Sequence, residues 1–146
     1  MITIRKAVRL SEAEILDYLI KSVNWMQRKY PDVNFDNIHY IFGTGCRARY
    51  FRNEEQHNSH VIPTVFISCN RSEIIMYWKP SLGMVREEIY NVHKEDAMIT
   101  QLVHELTHHV QYERGIRKGN ETDTTANELE WLRENSPENY ELFMVV

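Results

Sequence analysis

The segment HELTH at residues 104–108 constrains this chain more than any other feature. His104 and His108 are four residues apart, so on an α-helix both imidazoles lie on one face and can bind a single metal ion. Glu105 follows the first histidine, and in an HExxH helix this glutamate acts on a water molecule as a general base instead of binding the ion. The pattern therefore predicts a Zn²⁺ site with its own catalytic base.

The residues around the motif favour a helix. There is no Gly or Pro from Asp96 to Arg114, and apolar residues recur at helical spacing in one stripe: Ile99, Leu102, Val103, Leu106 and Val110. At 3.6 residues per turn, the two histidines of the motif fall roughly opposite that stripe. Histidines with a packing role alone would lie inside it. The position therefore favours metal binding over two histidines that share a helix by chance.

A second helix is predicted downstream, where the third ligand of a catalytic zinc ion is expected. Gly115 and Gly119-Asn120 are turn signals that end the first helix. Asn120 as N-cap, with Asp123 at the third helical position, begins the second. This helix is expected to run to about Glu134, and Ser136-Pro137 then opens a short C-terminal helix.

The connection between these helices indicates which position of the second helix supplies the third ligand. Short connections favour an antiparallel hairpin, and counting back from the loop places His108 opposite about Asn127. Glu128 is then the carboxylate level with the histidines and the predicted third ligand. Glu121 and Asp123 would lie nearly two turns closer to the loop.

The two histidines followed by Asn127-Glu128 resemble the gluzincin metallopeptidases, the thermolysin-like clan. In that family the third zinc ligand is the Glu of an Asn-Glu pair on the next helix, about twenty residues after the second histidine. The small chain also resembles the single-domain minigluzincins. The resemblance covers residues 61–133 in organisation and the two helices in specific residues. It implies a zincin-like fold and a zinc metalloendopeptidase.

Two features keep alternatives open. Leu132 occupies the position where the family commonly has an Asp that orients a zinc histidine. Some related families place the ligand in a Glu-x-Glu-Ala segment, of which residues 121–124 are a loose version, so Glu121 is the alternative third ligand. The alternative function is a zincin-like zinc-binding regulatory or interaction domain without turnover. Tyr77 and Tyr112 are conceivable oxyanion donors, although no spacing supports either.

The rest of the chain predicts a single α+β domain over residues 1–146. Ser11 caps an N-terminal helix that ends at about Lys29. Strands are expected at 38–42, 47–52, 61–68 and 73–78, in a small, mostly antiparallel sheet that precedes the zinc helix and the third-ligand helix. Pro63 indicates an edge position or a late start for the third of these strands. As an edge strand, residues 64–68 would bind an extended peptide substrate.

Charge and composition limit the partners and the compartment. The net charge of −4, without a basic tail, argues against nucleic acid as the main partner. The resemblance to metallopeptidases implies a peptide or protein as the substrate. The absence of a long apolar run predicts no signal peptide and no membrane span, hence a cytoplasmic protein with Cys46 and Cys69 as reduced thiols. His57 and His60 are interpreted as a solvated loop, and the basic and aromatic residues 47–52 as an exposed strand edge.

Overall fold

The computed structural model describes residues 1–45, 48–51, 62–79, 83–116 and 120–144. Within these residues, strands and helices follow one another in an α+β arrangement. In chain order they are β1 (Ile2–Ile4), α1 (Glu12–Lys29), β2 (His39–Gly43), β3 (Arg49–Phe51), β4 (Thr64–Ser68), β5 (Glu73–Lys79), β6 (Gly83–Asn91), α2 (Lys94–Glu113), α3 (Glu121–Asn135) and α4 (Pro137–Met144). The predicted α+β class is therefore confirmed.

The first sheet is mixed, with strand order β1-β2-β4-β3. β2 is parallel to both β1 and β4, and β3 is antiparallel to β4. The expectation of a mostly antiparallel sheet is wrong here, because α1 connects β1 to β2 as a crossover and such connections join parallel strands. The edge position expected for β4 is also wrong, since β4 lies between β2 and β3. The alternative, a late start, is correct: the strand begins at Thr64, directly after Pro63.

A separate antiparallel hairpin, β5 and β6, leads into α2. Its register pairs Glu73 with Asn91 and Ile75 with Ile89, and an irregularity lies between Met76 and Trp78. The sequence predicted β5 but neither β6 nor β1. Strand β5 packs against α2 and α3, so the hairpin stands beside the helix that carries the HExxH motif and the helix that follows it.

Helix α2 is the centre of the fold and packs against α1, α3, β4 and β5. Its predicted apolar stripe is buried along its whole length. Thr100 and Thr107 are buried too and donate to backbone carbonyl groups one turn earlier in the helix. Because most of the helix surface is covered in this way, its partly exposed positions stand out, and His104 and His108 are among them.

The hairpin of α2 and α3 has the predicted register to within about one residue. The side-chain amide of Asn127 donates to the hydroxyl oxygens of Thr107 and Tyr30, each at 2.9 Å. Asn120 is the N-cap of α3 and accepts a hydrogen bond from the backbone N–H of Asp123, as predicted. Among the described helices, none combines the length and the apolar character that a membrane span requires.

Tyr40 provides a test of the core. Its hydroxyl group is buried and has no hydrogen-bond partner among the described residues, and burial raises its pKa well above the ordinary value. A buried hydroxyl without a partner costs about 1 kcal/mol or more. Tyr40→Phe is therefore expected to raise the free energy of unfolding by about 1 kcal/mol, which corresponds to about 3 °C in the melting temperature.

Thermal unfolding monitored by circular dichroism measures this change. The matched control is Tyr50→Phe, because the Tyr50 hydroxyl lies 2.9 Å from Nδ1 of His109 and its removal should lower the melting temperature. A lower melting temperature for Tyr40→Phe would contradict the expectation.

Candidate metal centre

Helix α2 holds the imidazoles of His104 and His108 next to each other on the side that faces α3. Their ring centroids are 5.1 Å apart, as expected for positions i and i+4 of a helix. The side chains of His104 and His108 keep 17% and 19% of their surface exposed. An ion can therefore reach the two rings, although the neighbouring turns of the helix are buried.

Glu121, the first residue of α3, brings its carboxylate to both histidines. Oε2 lies 3.2 Å from Nε2 of His104, and Oε1 lies 3.4 Å from Nε2 of His108. One ligand atom from each of the three residues lies within 4.8 Å of the others. Ligand atoms bound to a tetrahedral zinc ion at about 2.0–2.1 Å are about 3.3 Å apart, so the spacing fits an ion held between these donors.

Glu128, the predicted third ligand, meets the other side of His104. Its Oε2 lies 3.2 Å from Nδ1 of His104, whereas Glu121 faces Nε2 of the same ring. Glu121 and Glu128 are seven residues apart and so share one face of α3. Counting residues from the loop gives only the position of each residue along the helix axis. It does not decide which of these two carboxylates meets the Nε2 atoms. The geometry favours Glu121, the alternative, as the third ligand of an ion, and it makes Glu128 a hydrogen-bond partner of His104.

A hydrogen-bonded chain orients His108 in a similar way. Nδ1 of His108 lies 2.9 Å from Oε1 of Gln111. Nε2 of Gln111 donates to the carbonyl oxygen of Asn120 and to Oδ2 of Asp123, each at 3.1 Å. Because these two acceptors fix which end of the amide is the donor, Oε1 must accept and Nδ1 of His108 must donate. The N-terminal turn of α3 thus determines the orientation of the second histidine.

These contacts determine where the lone pairs point. Nδ1 of His104 donates to the carboxylate of Glu128, and Nδ1 of His108 donates to Gln111. In a neutral imidazole the lone pair is then on Nε2, so both lone pairs face the oxygens of Glu121. Such an arrangement is repulsive unless a proton or a cation lies between the atoms. Two imidazoles and a carboxylate that converge in this way fit a Zn²⁺ ion.

The neighbouring carboxylates and burial both affect the protonation of the two histidines. Burial, the largest influence, lowers the pKa of His104, but the charge of Glu128 and the hydrogen bond to Glu121 outweigh it and raise this pKa well above the ordinary value. At His108, burial likewise lowers the pKa, but the hydrogen bonds with Glu121 and Gln111 outweigh it, so this pKa is raised as well. Hydrogen bonds from both histidines hold the pKa of Glu121 well below its usual range. A metal ion bound at these atoms would therefore displace protons, and its affinity would fall as the pH falls.

Glu105 lies at the edge of this donor group. Its carboxylate is buried, and Oε1 is 3.9 Å from Nε2 of His104. Burial raises the pKa of Glu105, and the charges of His104 and His108 act in the opposite direction. A carboxylate near the ligands whose pKa is raised by burial suits a general base.

A small cavity of about 90 Å³ opens beside the donors, between α2, α3 and β5. It is lined by Ala48, Arg71, Glu73, Ile74, Ile75, Thr100, Gln101, His104, Glu105, Glu121 and Glu128. The amide of Gln101 closes one side: it accepts from the backbone N–H of Ser68 and donates to the carbonyl oxygen of the same residue, each at 3.1 Å. The main chain of β4 is thus bonded to β2, β3 and Gln101, so the expectation that it binds an extended substrate is wrong.

Other histidines have structural surroundings. His109 lies with Nδ1 2.9 Å from the hydroxyl of Tyr50 and Nε2 2.8 Å from the carbonyl oxygen of Asn34, so it is held away from the donor group, as the sequence predicted. His39 contacts Thr3 on the neighbouring strand. His93 is the N-cap residue of α2.

Several further predictions fall outside the described residues or away from the cavity. Several residues singled out in the sequence lie outside the described part of the chain: Cys46, Arg47, Arg52, His57 and His60. The side chain of Tyr77 also lies outside it. Tyr112 is not among the residues that line the cavity. Within the basic segment, the Arg49 guanidinium lies over the Phe66 ring, 4.7 Å from its centroid, and its strand β3 ends the sheet order. Cys69 is buried.

Comparisons of the chain with protein-family models, with curated proteins and with solved structures found no match. The interpretation of the site therefore depends on the motif and on the geometry described above.

Two residues at this centre were missed in the sequence. Gln111 is three residues after His108 and so shares its helix face, a signal that could have identified it. Arg71 precedes β5 in a short connection, where no periodic pattern indicates which side chains lie close to helix α2.

Proposed function

We propose that this protein is a zinc-dependent metallopeptidase in which His104, His108 and Glu121 bind the ion and Glu105 is the general base. The observation that carries the proposal is the convergence of two Nε2 atoms and one carboxylate. It is supported by the partners that orient each ring, Glu128 for His104 and Gln111 for His108. A chance pair of histidines on a helix would not need both Nδ1 atoms held in this way.

Each residue has a defined task in this proposal. Zinc, when bound, lowers the pKa of a coordinated water from 15.7 to about 7 and polarises a carbonyl group. Glu105 accepts the proton of the water that attacks the peptide carbonyl and then donates it to the leaving amine. Glu128 and Gln111 hold the imidazoles with their Nε2 atoms directed at the site.

A second candidate is a zincin-like domain that binds zinc without turnover. It is favoured by the lining of the cavity, which contains no tyrosine among the described residues, although zinc peptidases commonly use such a donor for the oxyanion. Both candidates require the metal, so a metal measurement tests their common part.

Purified protein is expected to contain about one zinc ion per chain, and His104→Ala or His108→Ala should remove most of it. Each substitution deletes one of three ligands and leaves the apolar stripe of α2 intact. Elemental analysis measures the content, and far-UV circular dichroism verifies the fold. The matched control is His93→Ala, at an N-cap whose side chain makes no capping hydrogen bond. Unchanged zinc content in both ligand variants would rule out the proposed site.

A further inference from the structure

Arg71 is the feature of the cavity that the proposed reaction does not use. It lies in the connection between β4 and β5 and lines the cavity together with Glu105, Glu121 and Glu128. It is partly buried and makes no hydrogen bond or ion pair with any described residue. Three other cations of the described chain do have acidic partners: Lys21 contacts Glu95, Lys29 contacts Glu130 and Arg114 contacts Asp32.

A purely structural role for Arg71 would be to neutralise Glu128. The charge of Arg71 does lower the pKa of that carboxyl, but it is the smallest of the influences on it, and burial dominates. No oxygen of Glu128 forms an ion pair with the guanidinium group, whereas Glu128 does contact His104. Arg71 therefore has donors that no described residue of the chain occupies.

We propose that Arg71 is a specificity-determining residue that binds a carboxylate of the substrate next to the zinc site. The inference rests on the proposed function for the location of the substrate. A guanidinium group binds a carboxylate through two parallel hydrogen bonds, which fix both position and orientation. The cavity, at about 90 Å³, has room for a carboxylate group with a few neighbouring atoms.

Arg71 is the side chain in the described lining of the cavity that can attract an anion. Glu73, Glu105, Glu121 and Glu128 would repel an anion, and Arg71 is the one arginine or lysine among the described lining residues. The carboxylate has two possible sources in a peptide: its free C-terminus or an acidic side chain. Both present the same group to the guanidinium, so the experiment must separate them.

The test measures binding without turnover. Zinc-loaded Glu105→Gln protein is equilibrated with a degenerate library of acetylated hexapeptides, half with a free C-terminal carboxylate and half amidated. Retained peptides are quantified by mass spectrometry. The same selection is performed with Arg71→Gln and Arg71→Lys added to this background, and with Arg133→Gln as a matched control, because Arg133 is exposed on α3.

Retention of carboxylate peptides is expected to exceed that of their neutral counterparts by about tenfold to a hundredfold. Arg71→Gln should abolish this preference, Arg71→Lys should keep part of it, and Arg133→Gln should not change it. A preference for acid over amide termini assigns the C-terminus, and a preference for Asp and Glu over Asn and Gln assigns a side chain. Equal retention of all peptides, an equal loss for all in Arg71→Gln, or no retention at millimolar peptide would overturn the inference.

The outcomes also separate this inference from the proposed function. Hydrolysis of peptides by the wild-type protein without any carboxylate preference would overturn the role of Arg71 and leave the peptidase intact. A carboxylate preference that depends on Arg71, in a protein whose wild type cleaves nothing, would support the binding role and reject the peptidase. Zinc content and melting temperature of Arg71→Gln should equal those of its parent, which excludes loss of fold as the cause.

Discussion

Glu105→Gln is expected to keep the zinc ion and the fold and to lose peptide hydrolysis, with kcat lowered by about 10²- to 10⁴-fold. Glutamine fills the same volume and can still form hydrogen bonds, but it cannot accept a proton at neutral pH. Glu105 is not among the three residues whose ligand atoms converge, so its substitution should leave metal content unchanged. The prediction therefore separates the base from the ligands.

The assay compares wild type, Glu105→Gln and chelated wild type on an unstructured protein and on mixed peptide libraries. Glu141→Gln is the matched control, because this residue is exposed on α4. Cleavage by wild type and by the control alone supports the peptidase. Equal cleavage in all four samples would point to a contaminating protease. Absence of cleavage in every sample, with zinc bound, would favour the zinc-binding domain without turnover.

The helices could be predicted from the sequence because their signals are local. Ser11 and Asn120 cap α1 and α3 through side-chain oxygens, and Pro137 opens α4, as their spacing indicated. The apolar stripe of α2 decided which face is buried. The sheet was less predictable, because the parallel pairing of β1 with β2 joins residues far apart in the chain and β1 has three residues. Strand β6 carries three consecutive charged residues at 86–88, which hide the alternation expected of a strand.

The site shows the same division between local and distant information. His104, Glu105 and His108 belong to one stretch of helix, so their relative positions follow from helical geometry. The third ligand depends on how α3 meets α2, and the predicted register was close, with Asn127 opposite Thr107. A correct register still left Glu121 and Glu128 as two carboxylates on one face. Their roles depend on which ring nitrogen each one meets, and no sequence spacing specifies that.

The identity of the third ligand is tested by one chemical change at two positions. Glu121→Gln is expected to weaken zinc binding by more than about 100-fold, because a neutral amide oxygen replaces an anionic ligand. Glu128→Gln should weaken it by about tenfold, near the lower end of the range for residues that orient a ligand. The amide oxygen of glutamine can still accept the hydrogen bond from Nδ1 of His104, so the ring should keep its orientation.

Competition with a chelator of known affinity at fixed pH measures both dissociation constants, and the two variants serve as controls for each other. They remove the same charge from the same face of α3, so a general electrostatic effect would weaken zinc binding equally in both. A larger loss in Glu121→Gln supports the contacts of that carboxylate with the two Nε2 atoms. A larger loss in Glu128→Gln would instead make Glu128 the ligand, as the Asn-Glu spacing predicts.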